Sequence, residues 1–297
     1  MRLIDDGTAV LARSPAKLNL LLAIRGRRAD GFHEIETLML KVSIFDTLRF
    51  SSRQDDAIVL RVRRTTNDFA AIPVDRNNLV VRAAELLRER SGVRHGADVV
   101  LEKRIPAEAG LAGGSGNAAA TLAALVRLWQ LKLPVEELAE LAGRLGSDVP
   151  FFLFGANAAI ARGRGEQIEP VVIGGPLHFV IAKPCFGLPT VDVYRTFAER
   201  CTPSEARAVP LVKEIAVGRL GRAARLLRND LMPAAESLRP ELYDLRTRLQ
   251  KECTYGSLMT GSGSACFGLC ASAREATTVA ARMRSSGAGR AFAATSA

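Results

Sequence analysis

The feature that most constrains the fold of this chain is the glycine-rich run KRIPAEAGLAGGSGNAAAT at residues 103–121. An apolar strand gives way here to small residues, which continue into a helical pattern. Gly110, Gly113, Gly114 and Gly116 lack the Cβ atoms that keep an anion away from the backbone. Amides of such a loop and of the following helix N-terminus point into one space, so the run predicts a phosphate-binding loop.

Two common phosphate loops do not fit this run. It matches neither G-x-x-x-x-G-K-[ST] nor G-x-G-x-x-G, which excludes a Walker loop and a Rossmann fingerprint. A helix start that is rich in glycine and alanine only for close packing is the structural alternative. The run alone leaves both interpretations open.

A second segment, SPAKLNL at residues 14–20, has the period of a strand. Lys17 and Asn19 share one face of it, and Leu18 and Leu20 share the other. We therefore expect the polar pair to face a cavity or solvent and the apolar pair to lie in the core.

Two more segments combine apolar residues with a few polar ones. LGSDVPFF at residues 145–152 holds one carboxylate, Asp148, in an otherwise apolar turn. MTGSGSACF at residues 259–267 is a second glycine-rich turn that leads into an apolar strand.

Taken in order, these four segments resemble the GHMP kinase superfamily, named after galactokinase, homoserine kinase, mevalonate kinase and phosphomevalonate kinase. A further segment, ADGFHEI at residues 29–35, has the spacing of the branch that phosphorylates a polyol linked to cytidine diphosphate. With NNLVVRAAELL and RGRGE also in order, the resemblance extends from about residue 12 to about residue 270.

The resemblance implies a two-domain α+β fold. Residues 1–159 would form an ATP-binding domain like ribosomal protein S5, and residues 160–297 a C-terminal α/β sandwich domain. A length of 297 residues is sufficient for a core in each domain.

Periodicity predicts the main elements along the chain. We expect strands over 9–24, 35–50, 58–63, 98–103, 156–161 and 178–183, and helices after Asn78 and over 117–130, 134–144, 191–200, 211–230 and 239–252. The helix over 211–230 would expose an arginine at every third position, residues 219, 222, 225 and 228, as its solvated face.

The implied reaction transfers the γ-phosphoryl group of ATP to an alcohol. The resemblance makes Asp148 the base for the hydroxyl proton, and Lys17 the cation that keeps this carboxylate ionised and stabilises developing negative charge. A turn aspartate ahead of Val149-Pro150 is the alternative for Asp148. The alternative for Lys17 is a surface lysine of a strand, and that for Asn19 is a residue that forms hydrogen bonds at a strand end.

For the acceptor, the resemblance makes His33 the reader of the cytosine edge. Phe32 and Tyr194 would stack on the two faces of the base, although both aromatics also fit a core. Thr190 would contact the diphosphate or ribose. The remaining predicted acceptor residues are Asn19, Gly261, Ser262 and Gly263.

For ATP, the resemblance implies that Asn78 and Lys103 line the nucleotide pocket. The loop that wraps the phosphates would consist of Pro106, Ala107, Glu108, Ala109, Gly110, Leu111, Ala112, Gly113, Gly114, Ser115, Gly116 and Asn117. Alanines that replace family glycines, such as Ala112, are acceptable wherever φ is negative. Mg²⁺ is expected with the ATP, and no protein ligand for it is assigned.

One position departs from the resembling kinases, because Gly116 stands where they have serine. If φ at Gly116 is negative, we expect serine there to be tolerated and to stabilise the protein by about 0.4–1 kcal/mol. A positive φ would reverse that expectation.

The composition of the chain bears on which classes of molecule it binds. The net charge of +10 permits nucleic-acid binding, but the basic residues are dispersed and aromatics make up only 5%. We expect small-molecule substrates and neither nucleic acid nor membrane. A homoserine-type or mevalonate-type kinase and a basic nucleic-acid-binding protein like ribosomal protein S5 remain the alternatives.

Other features indicate the cytoplasm. No apolar run approaches the ~20 residues of a spanning helix, and the first residues lack a signal-peptide core. Five cysteines without C-x-x-C predict reduced, mostly buried thiols. We expect a monomer or weak homodimer.

Overall fold

The computed structural model describes residues 1–5, 7–64, 71–153, 155–200 and 202–297. The chain divides into two compact units. Unit 1 consists of Met1–Ala16, Ile44–Ala107 and Ala112–Gly155, and unit 2 of Lys17–Ser43, Glu108–Leu111 and Ala156–Ala297. The border after Gly155 lies close to the boundary predicted near residue 160. Two earlier segments nevertheless belong to unit 2, so the division into domains 1–159 and 160–297 stays a prediction.

Unit 1 combines a sheet with helices. β1 pairs antiparallel with the first part of β2, the later part of β3 pairs antiparallel with β5, and β4 pairs parallel with β5. The bounds are β1 Arg2–Asp5, β2 Ala9–Arg27, β3 His33–Arg53, β4 Ile58–Arg64, α1 Leu79–Ser91, β5 Gly96–Lys103, α2 Gly113–Leu128, α3 Val135–Leu145 and α4 Val149–Leu153.

Unit 2 contains the first part of β3, which pairs antiparallel with β6, and a four-stranded sheet of order β10-β11-β8-β12. The bounds are β6 Ala158–Gly163, β7 Gln167–Val171, β8 His178–Lys183, α5 Thr190–Arg200, α6 Ala208–Ala216, α7 Leu220–Ala224, β9 Arg228–Asn229, α8 Met232–Leu238, α9 Glu241–Glu252, β10 Gly256–Met259, β11 Cys266–Cys270, α10 Ala273–Ser285 and β12 Arg290–Thr295. The mixed content of both units confirms the predicted α+β class.

Helix α10 illustrates how sequence pattern produces this packing. Ala276, Val279, Ala280 and Met283 follow the helical period and are all buried in the core of unit 2. Ser272 caps the helix by accepting a hydrogen bond from the Glu275 amide at 3.1 Å. A polar cap and an apolar stripe are therefore enough to define this element.

The predicted helix over 211–230 is wrong. α6 ends at Ala216, Gly218 adopts φ +72°, and only the five residues of α7 follow before Arg228 enters β9. A left-handed glycine interrupts the helix, since that backbone conformation cannot continue an α-helix. Arginines 219, 222, 225 and 228 are exposed as expected, but not along one helix.

The cysteines and the helices bear on two other expectations. Cys253, Cys266 and Cys270 are buried free thiols, Cys185 is exposed, and Cys201 lies outside the described residues. Within the described part of the chain, every helix is too short or too polar to cross a bilayer.

The glycine-rich run enters its helix earlier than predicted. α2 begins at Gly113 and not at Asn117, so Gly113, Gly114 and Gly116 belong to its first turns. Gly116 consequently has helical, negative φ. Its missing side chain leaves room for a buried part of β2: a Cβ there would lie 2.5 Å from Ser14 Oγ and 3.1 Å from the Pro15 carbonyl oxygen. The condition of a negative φ is met, but the packing beside Gly116 argues against the expectation that serine is tolerated there.

We predict that Gly116→Ser lowers the free energy of unfolding by about 1–3 kcal/mol, because the new side chain has no room beside Ser14 and Pro15 and overpacks the core there. Urea denaturation measures this change. Gly114→Ser in the same helical turn is the matched control, since a Cβ at Gly114 meets its nearest neighbour, Leu79, at an ordinary 3.6 Å.

Removing the Ser14 hydroxyl tests the cause of that loss. In a Ser14→Ala background, Gly116→Ser should cost clearly less, because the shortest contact is removed and the longer ones with the Pro15 carbonyl and the Phe152 ring remain. An equal cost in both backgrounds would show that Ser14 is not what occupies the space beside Gly116.

Candidate active site

In unit 1, the start of α2 presents free backbone donors. The residue before the helix, Ala112, has φ +52° and provides no capping side chain. The first amides of an α-helix have no partner within the helix, so those of Gly113, Gly114 and Ser115 need acceptors from elsewhere. Gly114 is exposed, which leaves this end open to an anion.

In unit 2, residues Glu108–Leu111 pack directly against the second glycine-rich turn. The Ala265 amide donates to the Ala109 carbonyl at 3.2 Å. Gly110 has φ +70°, and a Cβ on it would overlap the Thr260 carbonyl oxygen. Glycine is required at this position for both reasons, and the structure thereby brings the two predicted glycine-rich segments together.

Two residues of the loop that replace family glycines have a positive φ. Ala112, with φ +52°, does not meet the condition of a negative φ, and Glu108 has φ +49°. A left-handed conformation costs a non-glycine residue roughly 1–2 kcal/mol. Backbone strain of this kind clusters at ligand-binding loops.

Lys103 and Asn117, both predicted ATP ligands, contact a residue that sequence reasoning missed. Asp46 on β3 is fully buried and its Oδ2 accepts hydrogen bonds from Lys103 Nζ and Asn117 Nδ2, each at 2.8 Å. Its Oδ1 accepts from the amides of Arg104 at 2.7 Å and Ile105 at 2.8 Å. Lys103 Nζ also donates to the Ile105 carbonyl.

A signal for Asp46 exists in the sequence. Ile44, Asp46, Leu48 and Phe50 occupy alternate positions of β3 and are all buried. An aspartate in the buried phase of an apolar strand demands partners, since a buried carboxylate is costly unless it is paired.

Asn78, which is predicted to line the nucleotide pocket, caps α1. Its Oδ1 accepts a hydrogen bond from the Val80 amide at 2.9 Å, and its Nδ2 donates to the Pro73 carbonyl at 2.7 Å. Both ends of the side chain are therefore engaged in local structure, and a role in ATP binding stays a prediction.

Lys17 and Asn19 share one face of β2, as predicted, and Lys17 Nζ donates to Asn19 Oδ1. Both residues are buried, which excludes solvent as their surroundings and leaves the expected cavity as a prediction. Asn19 is held by two threonines that sequence reasoning missed. Its Nδ2 donates to Thr37 Oγ1 at 2.8 Å, and its amide donates to Thr260 Oγ1 at 3.0 Å.

Asp148 is half-buried and directly precedes α4. It belongs to unit 1, whereas Lys17 belongs to unit 2. The predicted cooperation of the two residues stays a prediction.

The predicted cytosine readers lie in unit 2. The rings of His33 and Tyr194 are 5.2 Å apart, and Phe197 packs edge-on to His33 at 6.0 Å. Burial, aided by the charge of Arg27, holds the pKa of His33 below its ordinary value, so the imidazole is neutral at pH 7. A neutral imidazole offers one donor and one acceptor nitrogen.

Phe32 and Tyr194 have different surroundings. Phe32 is 52% exposed, and the Arg164 guanidinium lies 4.8 Å from the centre of its ring. Tyr194 is partly buried and packs against the core of unit 2. The core alternative therefore applies in part to Tyr194 and not to Phe32, and the aromatic sandwich stays a prediction.

The second glycine-rich turn is linked to the start of α5. Thr190 Oγ1 and Ser262 Oγ are 2.8 Å apart, which brings two predicted acceptor residues together. Gly261 and Gly263 have φ values of +56° and +86°. Asn229 fixes the turn by donating to the carbonyls of Met259 and Gly261, each at 2.8 Å.

A resident metal ion does not fit the residues that the structure describes. Among them, no three His, Cys, Asp or Glu side chains form a group that could hold one.

Comparisons with known proteins match both halves of the chain. The model for the GHMP kinases N terminal domain matches residues 78–156, and that for GHMP kinases C terminal matches residues 208–289. A crystal structure of 4-(cytidine 5'-diphospho)-2C-methyl-D-erythritol kinase superposes with a TM-score of 0.78 at 36% identity, over 96% of this chain and 98% of that chain. Homoserine kinase from Cytophaga hutchinsonii has a TM-score of 0.74 at 18% identity, covering 100% of this chain and 97% of its own, which indicates a shared fold alone.

Sequence relatives are closer. The 4-diphosphocytidyl-2-C-methyl-D-erythritol kinase of Pelotomaculum thermopropionicum is 42% identical over 275 residues, covering 93% of this chain and 94% of the relative. The kinase of the same name from Thermobifida fusca is 40% identical over 287 residues, covering 94% and 93%. The chain therefore belongs to the GHMP kinases and, within them, to the family of 4-diphosphocytidyl-2-C-methyl-D-erythritol kinases.

Proposed function

We propose that this protein uses ATP to phosphorylate the 2-hydroxyl of 4-diphosphocytidyl-2-C-methyl-D-erythritol, giving the 2-phosphate and ADP in the non-mevalonate route to isoprenoid precursors. The observation that carries the proposal is the 42% identity with a relative named for this kinase, in an alignment that covers 94% of the relative's length. We further propose that it acts in the cytoplasm on these two small molecules, as a monomer or weak homodimer.

The first helical turn of α2 supports a role in holding the ATP phosphates. Its leading amides lack a side-chain cap, and Gly114 in this turn is exposed and carries no Cβ atom. Backbone donors of this kind stabilise charge on a transferring phosphoryl group without reorganising. We propose that Pro106–Asn117 wraps the phosphates, with Asn78 and Lys103 lining the nucleotide pocket.

Asp148 is proposed as the base that accepts the hydroxyl proton as the acceptor oxygen attacks the γ-phosphorus. Lys17 is proposed to favour the ionised carboxylate and to stabilise charge on the transferring group. Lys17 is 3% exposed, so little solvent screens its ammonium. Mg²⁺ is proposed to arrive with ATP and to neutralise charge between the β- and γ-phosphates.

For the acceptor, we propose that neutral His33 hydrogen-bonds the cytosine edge and that Tyr194 and Phe32 stack on the base. Thr190, Ser262, Asn19 and the glycines at 261 and 263 would bind the rest of the acceptor. The contact between Thr190 and Ser262 supports their assignment to one subsite.

A coupled ADP-release assay with 4-diphosphocytidyl-2-C-methyl-D-erythritol, homoserine and mevalonate tests the proposal. We expect turnover with the first acceptor alone. Turnover with homoserine or mevalonate in its place would assign the chain to another GHMP kinase activity, and ADP release with none of the three would contradict the acceptor class.

We predict that Asp148→Asn lowers turnover by about 10²-fold while leaving folding and ATP binding intact. General bases contribute about 10²–10⁴-fold, and loose phosphoryl transfer favours the lower end. Steady-state kinetics with circular dichroism measures both effects. Asp244→Asn, at an exposed aspartate of α9, is the control and should behave as wild type. A loss below threefold in correctly folded Asp148→Asn would remove Asp148 from the mechanism.

We predict that Tyr194→Leu weakens acceptor binding by about 1–3 kcal/mol and leaves ATP affinity unchanged, because leucine fills the partly buried site but offers no aromatic face. Separate calorimetric titrations with each ligand measure this. Tyr194→Phe keeps the ring and should bind the acceptor nearly as wild type does. If both ligands weaken equally, Tyr194 acts only by packing.

A further inference from the structure

Asp46 lies where the two ends of the predicted phosphate loop meet within unit 1. One oxygen, Oδ1, accepts hydrogen bonds from the amides of Arg104 and Ile105, which follow the last residue of β5. The other, Oδ2, accepts a hydrogen bond from Nδ2 of Asn117 in the second turn of α2. A single carboxylate thus connects the strand that enters the loop with the helix that leaves it.

The same carboxylate also fixes Lys103. Lys103 Nζ donates to Asp46 Oδ2 at 2.8 Å and lies close to the helix start, since a Cβ on Gly113 would come within 3.1 Å of it. Ile105 packs there as well, with its Cγ2 atom 2.9 Å from the same added Cβ. The start of α2, which carries the amides of Gly113 and Gly114, is therefore packed closely against Ile105 and against the ion pair of Lys103 and Asp46.

The side chain of Asn117 points inward. The residue is 2% exposed, its Nδ2 is used by Asp46, and its Oδ1 is buried without a hydrogen-bond partner among the described residues. A side chain in this arrangement is not available to touch a nucleotide from solvent. Its effect on ATP must pass through the position of the helix turn that carries it.

We propose that Asp46 is a positioning residue for ATP, which sets the geometry of the α2 amides by holding Lys103, Asn117 and the Arg104–Ile105 amides together. The proposal rests on the assignment of this loop to the ATP phosphates. Asp46 itself is fully buried, so it has no exposed surface with which to touch a substrate. Its replacement should accordingly change ATP affinity far more than acceptor affinity.

The test is Asp46→Asn, which keeps an acceptor for the two amides but turns an NH₂ group towards the Lys103 ammonium and the Asn117 amide. We expect titration with the non-hydrolysable analogue β,γ-imido-ATP to show at least tenfold weaker binding. The Michaelis constant for ATP should rise in parallel, and that for the acceptor should stay within twofold. Analogue affinity within twofold of wild type, in a folded variant, would overturn the proposal.

Asp230→Asn is the matched control for lost stability. Asp230 is a buried carboxylate of unit 2 that accepts hydrogen bonds from Arg228 Nε at 2.6 Å and from the Ile24 amide at 2.8 Å. We expect it to lower the melting temperature without changing analogue affinity. An equal loss of affinity in this control would mean that general destabilisation, and not Asp46, explains the effect.

If Asp46→Asn does not fold, Asn117→Ser supplies the test, because it removes one donor and leaves the carboxylate with three. We expect three- to tenfold weaker analogue binding, and unchanged binding would contradict the proposal. Analogue titration needs no acceptor. If the acceptor assignment failed while analogue binding behaved as expected, the failure would concern the proposed reaction and not Asp46.

Discussion

The part of unit 1 that carries the glycine-rich run depends on the burial of one charge. Asp46 is completely inaccessible, and a carboxylate in that position costs several kcal/mol unless its lone pairs are satisfied. Four donors within 2.8 Å satisfy them, two from backbone and two from side chains. Each donor comes from the last residue of β5, from the two residues that follow it or from the second turn of α2, so neither element can move without leaving part of that charge unpaired.

Unit 2 uses the same principle with a second carboxylate. Glu36 is 4% exposed and accepts a hydrogen bond from the Ala208 amide at 2.7 Å, where α6 begins, while Arg25, Arg162 and Arg207 lie within 3.5 Å. Burial raises the pKa of Glu36, but the amide and the arginines outweigh it and hold that pKa below its ordinary value. The carboxylate is therefore ionised at neutral pH and orders the chain that leads into α6.

The sequence predicted those features whose causes lie close together in the chain. Alternation placed Lys17 and Asn19 on one strand face, and glycine spacing located both turns. The sequence could not predict contacts between residues that lie far apart in the chain. The space beside Gly116 is filled by Ser14, and the amide of Asn19 is bound by Thr260. Periodicity also extended a helix through Gly218, where one left-handed residue outweighs a favourable pattern.

The contact between Gly116 and Ser14 has a consequence for how such a chain can change over time. Ser14 Oγ is buried and, among the described residues, has no hydrogen-bond partner, so its loss removes a desolvated hydroxyl at little cost. Loss of that hydroxyl first would open the space for a side chain at 116, whereas the reverse order passes through an overpacked intermediate. The two positions are therefore linked in order as well as in space, and a substitution on β2 decides which residues the predicted phosphate-binding loop can accept at position 116.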